Sequence, residues 1–137
     1  MDRLFLDANV LFSAAYRENA GVRRLWSLPR AALVTSEYAV GEARRNLANE
    51  EQLRRLDALL GPIAVAPSRT LDPALRRDIE LREKDWPILG GAVAAGATHL
   101  ITGDMRDFGP FMGQAVLGVL VLTPARYLNS TGQTSAT

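Results

Sequence analysis

The sequence predicts a three-layer α/β fold in which a small, mostly parallel sheet is flanked by helices. Three observations predict it. Short apolar runs of strand length alternate with longer helix-compatible segments along the chain, the order a parallel sheet needs because each crossover is a helix. No internal repeat and no domain-separating linker divides the 137 residues, so a single domain is expected over residues 1–128, with a polar, flexible tail over 129–137. Hydrophobic residues make up 47% of the chain and charged residues 23%, enough apolar content to build a core and far from the composition of disordered chains.

Each element has its own signal. Arg3 to Asp7 has an apolar centre suited to a buried strand, with a carboxylate at its end. Ala8 to Tyr16 favours helix, and after Gly21 an apolar stripe of Val22, Leu25, Trp26 and Leu28 predicts a second short helix that stops at Pro29. Ala32 to Thr35 is the next strand. Ser36 is a good N-cap for a helix from Glu37 to Leu47, whose apolar face runs through Val40, Ala43 and Leu47 and leaves Glu42 on its flank. Leu53, Leu56, Leu59 and Leu60 mark an amphipathic helix that ends at Gly61 and Pro62.

Ile63 to Val65 is expected as a third strand, and Asp72-Pro73 as the cap of a helix carrying Leu75, Ile79 and Leu81. After Asp85, a small-residue helix from Ile88 to Ala95 contains Gly90 and Gly91, which permit close approach to a sheet. Gly96 closes it. His99 to Thr102 then reads as a strand ending in Gly103 and Asp104, Gly118 to Leu122 as the last strand, and Pro124 to Leu128 as a closing helical turn.

Composition also excludes. The absence of cysteine removes disulfide scaffolds and cysteine zinc sites. No apolar run approaches the ~20 residues of a membrane span, and the acidic N-terminus does not look like a secretory signal. No membrane partner and a cytoplasmic location are therefore expected. Net charge is +1, and fifteen of the sixteen basic residues are arginine, Lys84 being the single lysine. Arginine's planar fork suits phosphate oxygens, although an arginine- and alanine-rich genome produces the same composition.

Four carboxylates carry the chemistry. Ligands of an open parallel sheet bind beyond the carboxyl ends of its strands, where Asp7 and Asp104 fall. Asp85 opens the helix leading into the strand before Asp104, and Glu42 lies on the helix after the second strand. Carboxylates gathered unpaired at one rim repel each other unless a cation joins them. Magnesium or manganese, which prefer hard oxygen ligands and keep open positions for water, resolve that conflict and suit phosphodiester chemistry. With those four acids set aside, 11 acids face 16 bases, an excess of +5 that favours a polyanion.

These residues stand in motifs that resemble PIN domains. Phe5-Leu6-Asp7-Ala8-Asn9-Val10-Leu11 looks like the family's opening motif, and Ala95-Gly96-Ala97-Thr98-His99-Leu100-Ile101-Thr102-Gly103-Asp104, with Asp107-Phe108, looks like its distal motif. Glu42 in Gly-Glu-Ala-Arg-Arg-Asn-Leu and Asp85 in Lys-Asp-Trp-Pro-Ile-Leu resemble the intervening acids. The resemblance, to PIN ribonucleases of the VapC toxin type, implies a Mg²⁺- or Mn²⁺-dependent endoribonuclease. In that reading Asp7, Glu42, Asp85 and Asp104 are metal ligands and catalytic residues, supported by Asn9, Thr102 and Asp107. It also implies an RNA substrate, an antitoxin partner and a homodimer. Glycine-rich Gly90-Gly91 and bulky Trp86 depart from the usual pattern.

Other readings compete. Asp7 and Asp85 could serve only as helix caps and Asp107 only as a turn residue, while Glu42 could be a solvated flank residue. His99, the one histidine, is expected to pack within its strand, and Trp86 could belong to the core or stack on a base. Arg44, Arg45, Arg54 and Arg55 are read as a solvated face that could also meet RNA phosphates. At the level of function, a non-catalytic PIN-like RNA-binding or adaptor module is the alternative. A haloacid-dehalogenase-type phosphotransferase is disfavoured because Asn9 stands where an Asp-x-Asp motif needs its second acid.

Overall fold

The computed structural model describes residues 1–132. The chain runs β1 (Asp2–Leu6), α1 (Ala8–Tyr16), β2 (Ala31–Ser36), α2 (Glu37–Asn46), α3 (Glu50–Leu60), β3 (Ala64–Ala66), α4 (Trp86–Ala94), β4 (His99–Ile101), β5 (Ala115–Val116), β6 (Val119–Leu122) and α5 (Pro124–Ser130). The sheet order is β3-β2-β1-β4-β6-β5. Every neighbouring pair is parallel except β5 with β6. This is the mostly parallel α/β architecture predicted from the sequence.

In the central strand Leu4, Phe5 and Leu6 are all fully buried, as a strand covered by helices on both faces must be. α1 packs against α2 and α3, whereas α4 lies against β2 and β4. Ser36 caps α2 as the sequence suggests, and two further helix starts are capped in the same way. Ser36 Oγ accepts from the N–H of Ala39, Asn49 Oδ1 from Gln52, and Thr123 Oγ1 from Arg126, each cap contributing about 1 kcal/mol.

Both glycines of α4 are explained by what they touch. A Cβ on Gly90 would lie 2.8 Å from the Arg69 carbonyl oxygen, and one on Gly91 would lie 2.9 Å from the Phe5 ring. They let the helix settle onto β1 and onto the 69–71 segment. Gly90→Ala is therefore expected to destabilise the fold by about 1–3 kcal/mol, because backbone rather than a movable side chain blocks the methyl. Urea unfolding measures this, and an unchanged midpoint would show that the contact yields easily.

The short helix expected after Gly21 is present as a 3-10 helix (Gly21–Ser27); its seven residues are held from outside, Arg23 donating to the Ala14 and Glu18 carbonyls and Trp26 to Leu59. Other sequence expectations need correction. The expected helix after Asp72 is only a 3-10 turn (Pro73–Arg76). Its apolar spacing does not form a buried stripe: Leu75 is exposed, while Leu71, Ile79 and Leu81 fold over Trp86 and Leu89 as a small second core. The run Ala115 to Leu122 is a hairpin, β5 being the strand the sequence reading missed. Its two turn residues, Leu117 and Gly118, have φ of 51° and 84°, the sign a tight hairpin turn requires. The closing helix reaches Ser130, so the expected tail begins inside it, and residues 133–137 lie outside those described.

Candidate metal centre

β1 is the switch point of the sheet. The chain leaves it towards β2 on one side and returns to β4 on the other, which opens a crevice between the carboxyl ends of β1 and β4. The Asp7 N–H donates to the Ile101 carbonyl at 3.0 Å, so the two acid-bearing loops leave the sheet side by side. α2 brings Glu42 to the same place and the turn before α4 brings Asp85. Asp7, Asn9, Glu42, Lys84, Asp85 and Asp104 line one cleft of about 360 Å³. All four acids singled out in the sequence thus share it.

Asp7 is buried and held from three sides. Its Oδ1 accepts from the Ala8 N–H at 2.6 Å, and its Oδ2 from Thr102 Oγ1 at 2.8 Å and Asn9 Nδ2 at 3.1 Å. The capping role and a place in the cleft coexist. Burial pushes the Asp7 carboxyl up to about 6; the hydrogen bonds from Thr102 and Ala8 oppose this, and repulsion from Asp104 and Glu42 adds to it. Thr102 Oγ1 also accepts from the Asp104 N–H at 3.0 Å, and Asn9 Oδ1 from the Gly103 N–H at 2.7 Å. These two side chains tie the loop after β1 to the loop after β4.

Thr102→Val keeps the shape but removes the donor to Asp7 and the acceptor for Asp104. It is expected to cost about 1–3 kcal/mol of stability and to raise the Asp7 carboxyl further. Thermal melting and a carboxyl-detected NMR titration check both effects.

Asp85 is different. It caps nothing, since no side-chain bond to the helix start forms. It is only 4% exposed, yet its Oδ2 has no hydrogen-bond partner when ionised. Burial first, and then a hydrogen bond with Asp107, push it up to about 7 against the pull of Lys84. The same bond, together with Lys84 and Arg82, holds Asp107 below the ordinary carboxylate range. One proton shared by two facing carboxyls is one remedy for their repulsion, and a divalent cation is the other.

Among the described residues, the group of three or more potential ligands that converges most closely is Asp85, Asp104 and Asp107, with one oxygen of each within 4.8 Å of the others. Asp7 and Glu42 line the cleft outside that group. Asp107 therefore stands nearer the centre than a supporting position suggests. The reason is local: Asp104 Oδ1 accepts from the N–H groups of Arg106 and Asp107, both at 3.0 Å, a turn that brings Asp107 back beside Asp104. The Asp-x-x-Asp spacing after a glycine was the available signal. An all-oxygen donor set with an orphaned buried carboxylate oxygen fits Mg²⁺ or Mn²⁺.

Lys84, which no sequence motif marks as a site residue, also lines the cleft. Its Nζ lies 3.5 Å from Asp85 Oδ1 and 3.3 Å from Asp107 Oδ2. The remaining candidates fall into place as packing or surface residues. His99 packs edge-to-face on Tyr127 with ring centroids 5.0 Å apart, and burial lowers its pKa. Trp86 is buried, with the Arg76 guanidinium 4.8 Å from its ring centroid, so its face is not open to a base. Arg44 pairs with Asp57 and Arg55 with Glu51.

The fold has counterparts among solved structures. A chain of the VapBC2 complex from Rickettsia felis, solved bound to a DNA fragment from its promoter, superposes with a TM-score of 0.60 at 12% identity, over 88% of this chain and 98% of that one. VapC20 of Mycobacterium tuberculosis, described as a sarcin-ricin loop cleaving toxin, superposes with a TM-score of 0.53 at 16% identity, over 75% of this chain and 91% of that one. The fold is thus the VapC-like, PIN-type fold that the sequence motifs implied. No family model matches the chain and no curated protein does. No helix among the described residues is long and apolar enough to cross a membrane.

Proposed function

We propose that this chain is a metal-dependent endoribonuclease that hydrolyses RNA phosphodiester bonds, and that it is the toxin of a toxin–antitoxin pair working in the cytoplasm as a homodimer. The observation that carries the proposal is the cleft at the sheet's switch point, lined by Asp7, Glu42, Asp85 and Asp104, in which Asp85 and Asp104 converge with Asp107. Its likeness in fold to VapC20, described as a sarcin-ricin loop cleaving toxin, and to a chain of VapBC2 supports both the substrate class and a protein partner.

In this reading Asp85, Asp104 and Asp107 would hold a Mg²⁺ or Mn²⁺ ion, with Asp7 and Glu42 assisting directly or through water. When bound, such an ion would lower the pKa of a water and neutralise charge on the phosphodiester. Thr102 and Asn9 keep Asp7 and the Asp104 loop in register, and no protein nucleophile is needed. A single domain belongs to the same reading.

The test is cleavage of RNA in Mg²⁺ or Mn²⁺ against EDTA, with Asp104→Asn alongside. Cleavage is expected only with metal and falls at least ~10³-fold in the variant, since each ~1.4 kcal/mol of lost transition-state stabilisation is tenfold in rate. Activity that persists in EDTA or in Asp104→Asn contradicts the proposal. RNA binding without cleavage in any metal would instead favour the adaptor reading.

A further inference from the structure

We infer that Lys84 is a positioning residue that acts as a built-in competitor of the divalent ion, its ammonium occupying the edge of the carboxylate cluster and weakening metal binding. The inference rests on the metal-site reading above. Lys84 is the only lysine in the chain, and its ammonium stands at 3.5 and 3.3 Å from oxygens of two of the three converging acids. Arg82 reaches Asp107 too, but more loosely, at 3.7 Å.

The main chain at Lys84 is fixed independently of its side chain. Tyr38 Oη, from the same helix as Glu42, donates to the Lys84 carbonyl at 2.8 Å. The side chain itself is 53% exposed, so its stem is free to swing while its origin stays put. Magnesium-sized ions sit ~2 Å from carboxylate oxygens, which would leave an ammonium at its present place only ~5 Å from a doubly charged ion. Like charges that close repel even in water. The ion must therefore displace the ammonium from Asp85 and Asp107, and the work of doing so is subtracted from its affinity.

The experiment is a calorimetric Mn²⁺ titration, without RNA and at pH 8.5 where protons compete little, of the wild type, Lys84→Met and Lys84→Arg. Lys84→Met is expected to bind Mn²⁺ about tenfold tighter, and Lys84→Arg, which restores the cation, to bind as the wild type does. Unchanged or weaker binding in Lys84→Met overturns the inference, as does an equal tightening in Lys84→Arg. Wild-type binding with no effect of the methionine sinks the role of Lys84 alone and leaves the nuclease reading standing. No Mn²⁺ binding by any of the three proteins sinks both.

Discussion

Asp85→Asn is expected to reduce RNA cleavage at least ~10³-fold while raising the melting temperature of the metal-free protein at pH 8 by roughly 3 °C or more. The two effects have opposite signs because the carboxylate serves function at the expense of the fold. Asp85 is almost fully buried, caps no helix and carries an oxygen without a partner. A neutral amide of the same shape removes the buried charge and can donate to Asp107. An acid kept for structural reasons behaves the other way, losing stability when neutralised. A loss of activity accompanied by a fall in melting temperature would therefore assign Asp85 to the scaffold.

The second large effect is the pH dependence of metal-free stability. Asp7 and Asp85 are raised from 3.8 to about 6 and about 7, so the folded state binds their protons more tightly than the unfolded chain does. Their contribution to stability is complete below pH 4 and is lost as pH rises through 6 and 7. For Asp7 alone the loss is of order 3 kcal/mol. Melting temperature in EDTA is expected to decline between pH 5 and 8, and Mn²⁺ at pH 8 to restore it, since an ion that binds only the folded state stabilises it. Manganese affinity rises over the same interval, because the ion must replace a proton. A flat EDTA profile would mean that these carboxyls are not strained by their burial.

What the sequence revealed and what it hid follow from the range of the interactions involved. Asp7 and Asp104 were legible because each ends a short apolar run, and strand ends at a switch point are where sites form. Glu42 and Asp85 follow from the order of the elements, which carries their helices to the same rim, and the motif resemblance adds weight to local signals that are otherwise those of a solvated helix residue and a cap. The structure places all four on one cleft. The close approach of Asp107 depends on a backbone turn around Asp104, and the position of Lys84 on how the turn before α4 meets α2 through Tyr38. Neither contact has a periodic trace. The 73–81 segment departs from its helical spacing for a related reason: Leu71 and Leu81 are drawn to Trp86 and Leu89, and that tertiary attraction overrides a spacing of only three apolar residues. The hairpin at Leu117-Gly118 escaped notice because leucine rarely takes positive φ.

The central claim is that these acids are gathered for a divalent ion. Anomalous diffraction from a crystal soaked in Mn²⁺ tests it most directly. A peak bounded by Asp85, Asp104 and Asp107, and absent from the Asp85→Asn protein, is the predicted result; an empty cleft at saturating Mn²⁺, with the Asp85–Asp107 pair undisturbed, contradicts it.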